Sequence, residues 1–96
     1  MGKIAFITGG SRGIGRACAV ALAREGYSIL LNYKSNASAA EEAKTEIEAL
    51  GVNCELLKMD VANKAEIADT LGAWLENNPD KCIEVLVNNA GIKKDN

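Results

Sequence analysis

The sequence predicts an α/β fold with a parallel, doubly wound sheet, and three observations carry that prediction. Short apolar runs alternate with helix-length segments in the order βαβαβαβ. The first run, Ile4-Ala5-Phe6-Ile7, is apolar at every position, as suits a strand covered on both faces. That run breaks at once into Thr8-Gly9-Gly10-Ser11-Arg12-Gly13-Ile14-Gly15, and a segment of helical composition follows.

The first helix is read over residues 16–25. Ile14, Cys18, Ala21 and Leu22 recur at helical spacing on its apolar side, and Gly26 is placed to end it. Ser28-Ile29-Leu30-Leu31-Asn32 is the second strand. Ser38 to Glu41 has the spacing of a capping box, and Ala40, Ala43, Ile47 and Leu50 form one face of a second helix that stops at Gly51. Residues 52–59 form a third strand that runs into Asp60. Asn63, with Glu66 three residues later, opens a third helix whose Ile67, Leu71, Trp74 and Leu75 are expected to face inward. Asn77-Asn78-Pro79 ends it, and residues 83–87 form the fourth strand. No repeat, low-complexity segment or linker interrupts the order.

Right-handed crossovers constrain how such strands assemble. With the order 3-2-1-4, the first two helices cover one face and the third covers the other. The sheet then reverses direction between strands 1 and 4, so Thr8 and Asn88 converge at the switch point where such folds bind ligands. This is the N-terminal half of a Rossmann-type doubly wound parallel sheet.

The glycine stretch at that point suits a phosphate. The first amides of a helix lack internal partners, the helix dipole adds partial positive charge, and glycines let a diphosphate approach closely. A turn that binds nothing is the plainer alternative. Four glycines within residues 9–15 argue against it, because each costs backbone entropy. The pattern is G-x-x-x-G-x-G rather than G-x-G-x-x-G, and no Gly-Lys-Ser/Thr of a P-loop follows.

Composition excludes several classes. The 96 residues make one small domain, 48% hydrophobic and 25% charged, with a net charge of −2 and no histidine. No basic footprint for nucleic acid is present. No apolar run of membrane-spanning length, no signal-peptide core and no myristoylation start occur, Phe6 standing where that motif needs Ser or Thr. A cytosolic protein that meets neither membrane nor nucleic acid is expected. Cys18, Cys54 and Cys82 fit neither a zinc pattern nor C-x-x-C and are read as buried small hydrophobes, so no metal is expected.

Thr8-Gly9-Gly10-Ser11-Arg12-Gly13-Ile14-Gly15 resembles the T-G-x-x-x-G-x-G cofactor motif of short-chain dehydrogenases/reductases. Asn88-Asn89-Ala90-Gly91 resembles that family's N-N-A-G motif at the expected later strand. Within the family the chain is most similar to the β-ketoacyl-acyl-carrier-protein reductases. The resemblance implies that residues 1–96 form the NADP(H)-binding half of a single Rossmann domain. It implies dinucleotide contacts from Gly9, Gly10, Ser11, Arg12, Gly13, Ile14 and Gly15. Asp60 would accept a bond from the adenine amino group, Val61 would pack on the ring, and Asn89, Ala90 and Gly91 would pass close to the adenosine ribose. Asn88 would tie neighbouring backbone together.

The second strand decides between cofactors. NAD enzymes commonly place a carboxylate after it to hold the ribose hydroxyls. Here the turn is Asn32-Tyr33-Lys34-Ser35-Asn36, with no acid. Lys34 supplies charge, Ser35 a donor and Arg12 a guanidinium fork suited to a 2′-phosphate, so NADPH is expected, with Tyr33, Lys34 and Ser35 beside it.

The family's Tyr-x-x-x-Lys does not occur, because Leu31 follows Tyr27 and Ala37 follows Tyr33 at the lysine position. Val85-Leu86-Val87 would also form an exposed apolar edge strand unless another strand covered it. The chain is therefore expected to be a part that lacks the catalytic Ser, Tyr and Lys and shows no turnover alone. The complete enzyme implied by the resemblance is a homo-oligomer that reduces a 3-oxoacyl group on acyl carrier protein in fatty acid synthesis. A dehydrogenase of sugars or polyols, and a non-catalytic nucleotide-binding module, are the alternatives. A Rossmann methyltransferase would need an acid closing the second strand, which Asn32-Tyr33-Lys34 does not provide.

Overall fold

The computed structural model describes residues 2–9 and 13–88. Along them run β1 (Gly2–Thr8), α1 (Gly13–Arg24), β2 (Ser28–Tyr33), α2 (Ala37–Glu48), β3 (Cys54–Lys58), α3 (Lys64–Asn77) and β4 (Lys81–Asn88). The strands pair in parallel in the order β3-β2-β1-β4, as the sequence predicts.

Burial follows from that order. Ala5, Ile7, Ile29, Leu31 and Cys54 point to one face of the sheet and pack with Ala19 and Ala23 of α1 and Ala43 and Ile47 of α2. Ile4, Phe6 and Leu30 point to the other face and pack with Met59 and with Trp74 of α3. Every residue from Ile4 to Thr8 is buried, which is why β1 reads as an unbroken apolar run.

Several boundaries differ from expectation. α1 begins at Gly13, and its buried stripe is Gly15, Ala19 and Ala23; of the expected Ile14, Cys18, Ala21 and Leu22, Leu22 packs partly buried against this core. The three buried side chains are small and spaced four apart, and they let the helix backbone lie close to the sheet. Ile14 is left 70% exposed. Gly26 does close α1: its N–H donates to the Ala23 carbonyl and that of Tyr27 to the Leu22 carbonyl, 3.0 and 3.2 Å. α2 is capped not by Ser38 but by Asn36, whose side chain accepts from the Ala39 N–H at 3.0 Å. Asparagine caps as well as serine, and Asn36 stands at the end of the turn, so the helix begins before the Ser38 box. Leu50 lies beyond the end of α2 and is exposed. Leu75 is also exposed, because α3 is oriented by Trp74, a step of about 100° around the helix.

β4 carries one irregularity. Ile4 pairs with Ile83, but Ala5 pairs with Val85, so Glu84 is an extra residue in the strand. Simple alternation would send Ile83, Val85 and Val87 to one face. The extra residue instead leaves Ile83 against the α3 side and sends Val85 and Val87 to the α1/α2 side.

A polar tie closes the N-terminal edge of the sheet. The Glu55 carboxylate accepts the Trp74 indole N–H at 2.7 Å and a Lys81 ammonium hydrogen at 3.3 Å. The indole bond first, and then the lysine, hold the Glu55 carboxyl below the usual carboxylate range. A depressed folded value means the tie stabilises the fold above the ordinary carboxylate pKa and is lost as pH falls through the folded one. Acid titration followed by fluorescence of Trp74, the only tryptophan, is expected to show stability declining through that window. Glu55→Gln, which accepts the indole bond but does not titrate, is expected to flatten the decline.

Candidate functional site

The C-terminal ends of all four strands meet on one edge, and polar side chains tie them together. Thr8 and Asn88 are register partners, and the Thr8 hydroxyl donates toward the Asn88 Oδ1 at 3.1 Å, with the Val87 carbonyl at 3.3 Å. Asn88 thus ties to a side chain of β1, not to neighbouring backbone alone. Gly9, with φ 60°, turns the chain away from β1.

α1 opens at Gly13. Gly13 has φ 63°, and a Cβ built there would meet nothing within 4 Å. No acidic residue stands in the first turn of α1 to oppose an anion. Arg16, at the same end, is engaged elsewhere: its Nε donates to Glu46 of α2 at 2.8 Å and fixes one helix against the other.

Tyr33 is half-buried at the end of β2, and Lys34 and Ser35 are exposed in the turn beyond it. Lys34 Nζ lies 3.8 Å from Asp60 Oδ2, so the two residues assigned to different parts of a nucleotide are neighbours. Asp60 also shapes its own turn. Its Oδ1 accepts the Ala62 N–H at 2.9 Å and its carbonyl accepts the Asn63 N–H, while Glu66 Oε2 accepts the Asp60 N–H at 3.2 Å. Glu66 therefore reaches back to Asp60, while Asn63 caps α3 by accepting the Glu66 N–H. Val61 is half-buried and lines an open groove of about 460 Å³ with Phe6, Met59, Ile67 and Leu86. Gly10, Ser11, Arg12, Asn89, Ala90 and Gly91 lie outside the described residues.

The residue that sequence reasoning missed is Asn32. It is 2% exposed, and its Oδ1 accepts the Gly9 N–H at 3.0 Å. Its Nδ2 donates to the Met59 carbonyl at 3.0 Å and the Leu57 carbonyl at 3.1 Å. The signal was present: one amide at the end of a strand that must be covered on both faces.

The cysteines take no part. Burial, with Glu48 adding to it, pushes the Cys54 thiol up to about 12, so it stays protonated near neutral pH. Cys18 is half-buried, and Cys82 is exposed on edge strand β4, contrary to its expected burial. Among the described residues no group of three or more His, Cys, Asp or Glu could hold a metal, and no helix is long and apolar enough to cross a membrane.

Known proteins share this arrangement. The 3-oxoacyl-[acyl-carrier-protein] reductase FabG of Staphylococcus epidermidis is 42% identical over 96 residues, 100% of this chain and 38% of that protein. The uncharacterized oxidoreductase YgfF of Escherichia coli is 42% identical over 89 residues, 93% of this chain and 35% of that protein. The structure of the promiscuous reductase LugOII superposes with a TM-score of 0.80 at 37% identity, over 98% of this chain and 39% of that one. That of the acetoin dehydrogenase YohF from Salmonella typhimurium does so with a TM-score of 0.79 at 31% identity, over 92% and 36%. The chain thus spans less than two fifths of the length of these curated relatives. The family model described as short chain dehydrogenase matches residues 3–96, and the chain belongs to that family.

Proposed function

We propose that this chain forms the NADPH-binding part of a short-chain reductase that reduces a 3-oxoacyl group, carried as a thioester on acyl carrier protein, to the 3-hydroxyacyl product. The observation that carries the reading is Gly13, left-handed at φ 63° with open space around it, at the head of α1 beside the edge where β1 and β4 end together. A dinucleotide held there supplies the hydride for the ketone carbon. Gly9 to Gly15 would hold the diphosphate, Asp60 and Val61 the adenine, and Asn89, Ala90 and Gly91 the ribose. Arg12, Lys34, Ser35 and Tyr33 would surround a 2′-phosphate, and the turn after β2 offers an ammonium and no carboxylate. The Lys34–Asp60 pair is exposed enough to open for a ligand at little cost. The catalytic Ser, Tyr and Lys would be supplied by sequence outside these 96 residues, in a cytosolic homo-oligomer. The names of the FabG relatives support the acyl-carrier-protein substrate. The likeness to an acetoin dehydrogenase favours a second reading, reduction of a small hydroxyketone to a diol or oxidation of a polyol in the reverse sense.

In the full-length protein, Arg12→Ala and Lys34→Ala are each expected to weaken NADPH binding by about 1–3 kcal/mol, the scale of charge-assisted hydrogen bonds. NADH binding should change little. Equal losses with both cofactors in calorimetry would show that neither residue reads the 2′-phosphate. Turnover with a 3-oxoacyl thioester but not with acetoin separates the two substrate readings.

A further inference from the structure

We infer that Asn32 is a positioning residue for dinucleotide binding, holding the glycine turn and the exit of β3 in one fixed relation. The inference rests on the dinucleotide reading above and adds to it a residue that touches no ligand. At 2% exposure Asn32 acts only through what it holds.

What it holds is specific. A primary amide offers two donor hydrogens and an acceptor oxygen. The amide nitrogen faces carbonyls of the β3 exit, Leu57 at 3.1 Å and Met59 at 3.0 Å, with the Tyr33 carbonyl farther off at 3.4 Å. Two carbonyls demand the NH₂ on that side, which leaves Oδ1 facing β1, where it accepts the Gly9 N–H at 3.0 Å. The orientation of the amide is thereby set by β3, and the acceptor offered to Gly9 is set with it.

Packing does not call for an amide here. The neighbours Ile29, Leu30 and Leu31 are buried and apolar, and leucine would fill nearly the same volume. A buried amide is costly unless fully bonded, so its presence marks a position where bonds are needed. They are needed because the regular ladder stops here: Met59 N–H to the Tyr33 carbonyl at 2.9 Å is the bond beyond the last β2–β3 pair. Past that point β3 turns toward Asp60 and Val61, and β1 turns at Gly9 into the glycine stretch. Gly9 has positive φ, and holding its N–H fixes the peptide plane from which the turn departs. One side chain therefore fixes the phosphate end of the site against the base end.

The test uses the full-length protein and two variants of nearly equal volume. Asn32→Leu removes every bond. Asn32→Asp keeps an acceptor for Gly9 but sets carboxylate oxygen against two carbonyls. NADPH affinity is measured by calorimetry at a temperature where each variant is folded. Both variants are expected to bind about tenfold more weakly or worse, the equivalent of one good hydrogen bond misplaced. Asn32→Asp is expected to recover part of that loss between about pH 8 and about pH 6, because its buried carboxyl takes up a proton and regains a donor. The parent protein should show no such recovery. Without ligand, the Gly9 amide of Asn32→Leu should exchange hydrogen about tenfold faster or more, while the Leu31 amide inside β2 keeps its protection. Should Asn32→Leu fail to fold, the Asn32→Asp pH series decides alone. Unchanged affinity in folded variants, or a Gly9 amide as protected as in the parent, would overturn the inference and leave the dinucleotide reading standing. A parent protein that binds neither NADPH nor NADH would overturn both.

Discussion

Gly13→Val is expected to abolish dinucleotide binding while the far-ultraviolet circular dichroism stays close to that of the parent. At φ 63° an L-residue is strained by about 1–2 kcal/mol, and a β-branched residue by more. Space around the position does not oppose a side chain in the free protein, since a Cβ there meets nothing within 4 Å. The variant can therefore fold, either by bearing the strain or by relaxing the turn. Binding then demands both that the turn return to its left-handed form and that the cradle accept a diphosphate beside an isopropyl group. Together these should weaken the complex by about 3 kcal/mol or more, beyond a hundredfold, adding the strain to the loss of aligned helix-end donors. Gly13→Ala should fall between valine and glycine. NADPH affinity undiminished in Gly13→Val, measured by calorimetry in the full-length protein, would place the phosphate elsewhere.

Ile7→Ala is expected to produce a large loss of stability. Ile7 is fully buried, flanked in the sheet by Leu31 of β2 and Val87 of β4, on the face covered by α1 and α2. Neighbours on both sides belong to paired strands that cannot collapse into the space. The cost should therefore lie within about 2–5 kcal/mol. Urea denaturation should show a lowered midpoint with an unchanged slope. A loss below about 1 kcal/mol would mean that the sheet relaxes around the cavity far more than its pairing allows.

What could be read from the sequence was whatever periodicity and glycine spacing encode. An apolar run such as Ile4 to Ile7 has one reading, a strand covered twice, and alternation with helices then leaves little freedom in strand order. The convergence of Thr8 and Asn88 followed from that order alone. An amide at the end of a doubly covered strand marks Asn32 as a position in need of partners, but which partners depends on three strand ends meeting, and no local pattern records where a neighbouring carbonyl stops being paired. The face of α1 was misread for a related reason. Hydrophobic spacing favours Ile14 and Leu22, but the helix seats on Gly15, Ala19 and Ala23, where smallness counts for more than apolarity. The turn at Asn36 competed with Ser38 for the same cap, and a cap is decided by where the preceding loop delivers the chain. The Lys34–Asp60 contact joins residues from two turns and leaves no trace in either.

The extra residue in β4 makes β1 and β4 work as the two scales of a vernier. Seven residues of β1 are matched against eight of β4 over one length, with the odd division at Glu84. Below it, Lys81 is in step with Gly2 and holds Glu55; above it, Asn88 is in step with Thr8. Both coincidences hold because the irregularity takes up the odd residue: four residues of β4 stand between Ile83 and Asn88 against three of β1 between Ile4 and Thr8. Removing one of the four would equalise the count, erase the irregularity and keep both marks aligned, whereas adding one would carry Asn88 past Thr8. A point substitution along the same stretch would disturb one contact and keep the scale. The spacing of β4, more than the identity of most residues in it, is what brings its end to the site.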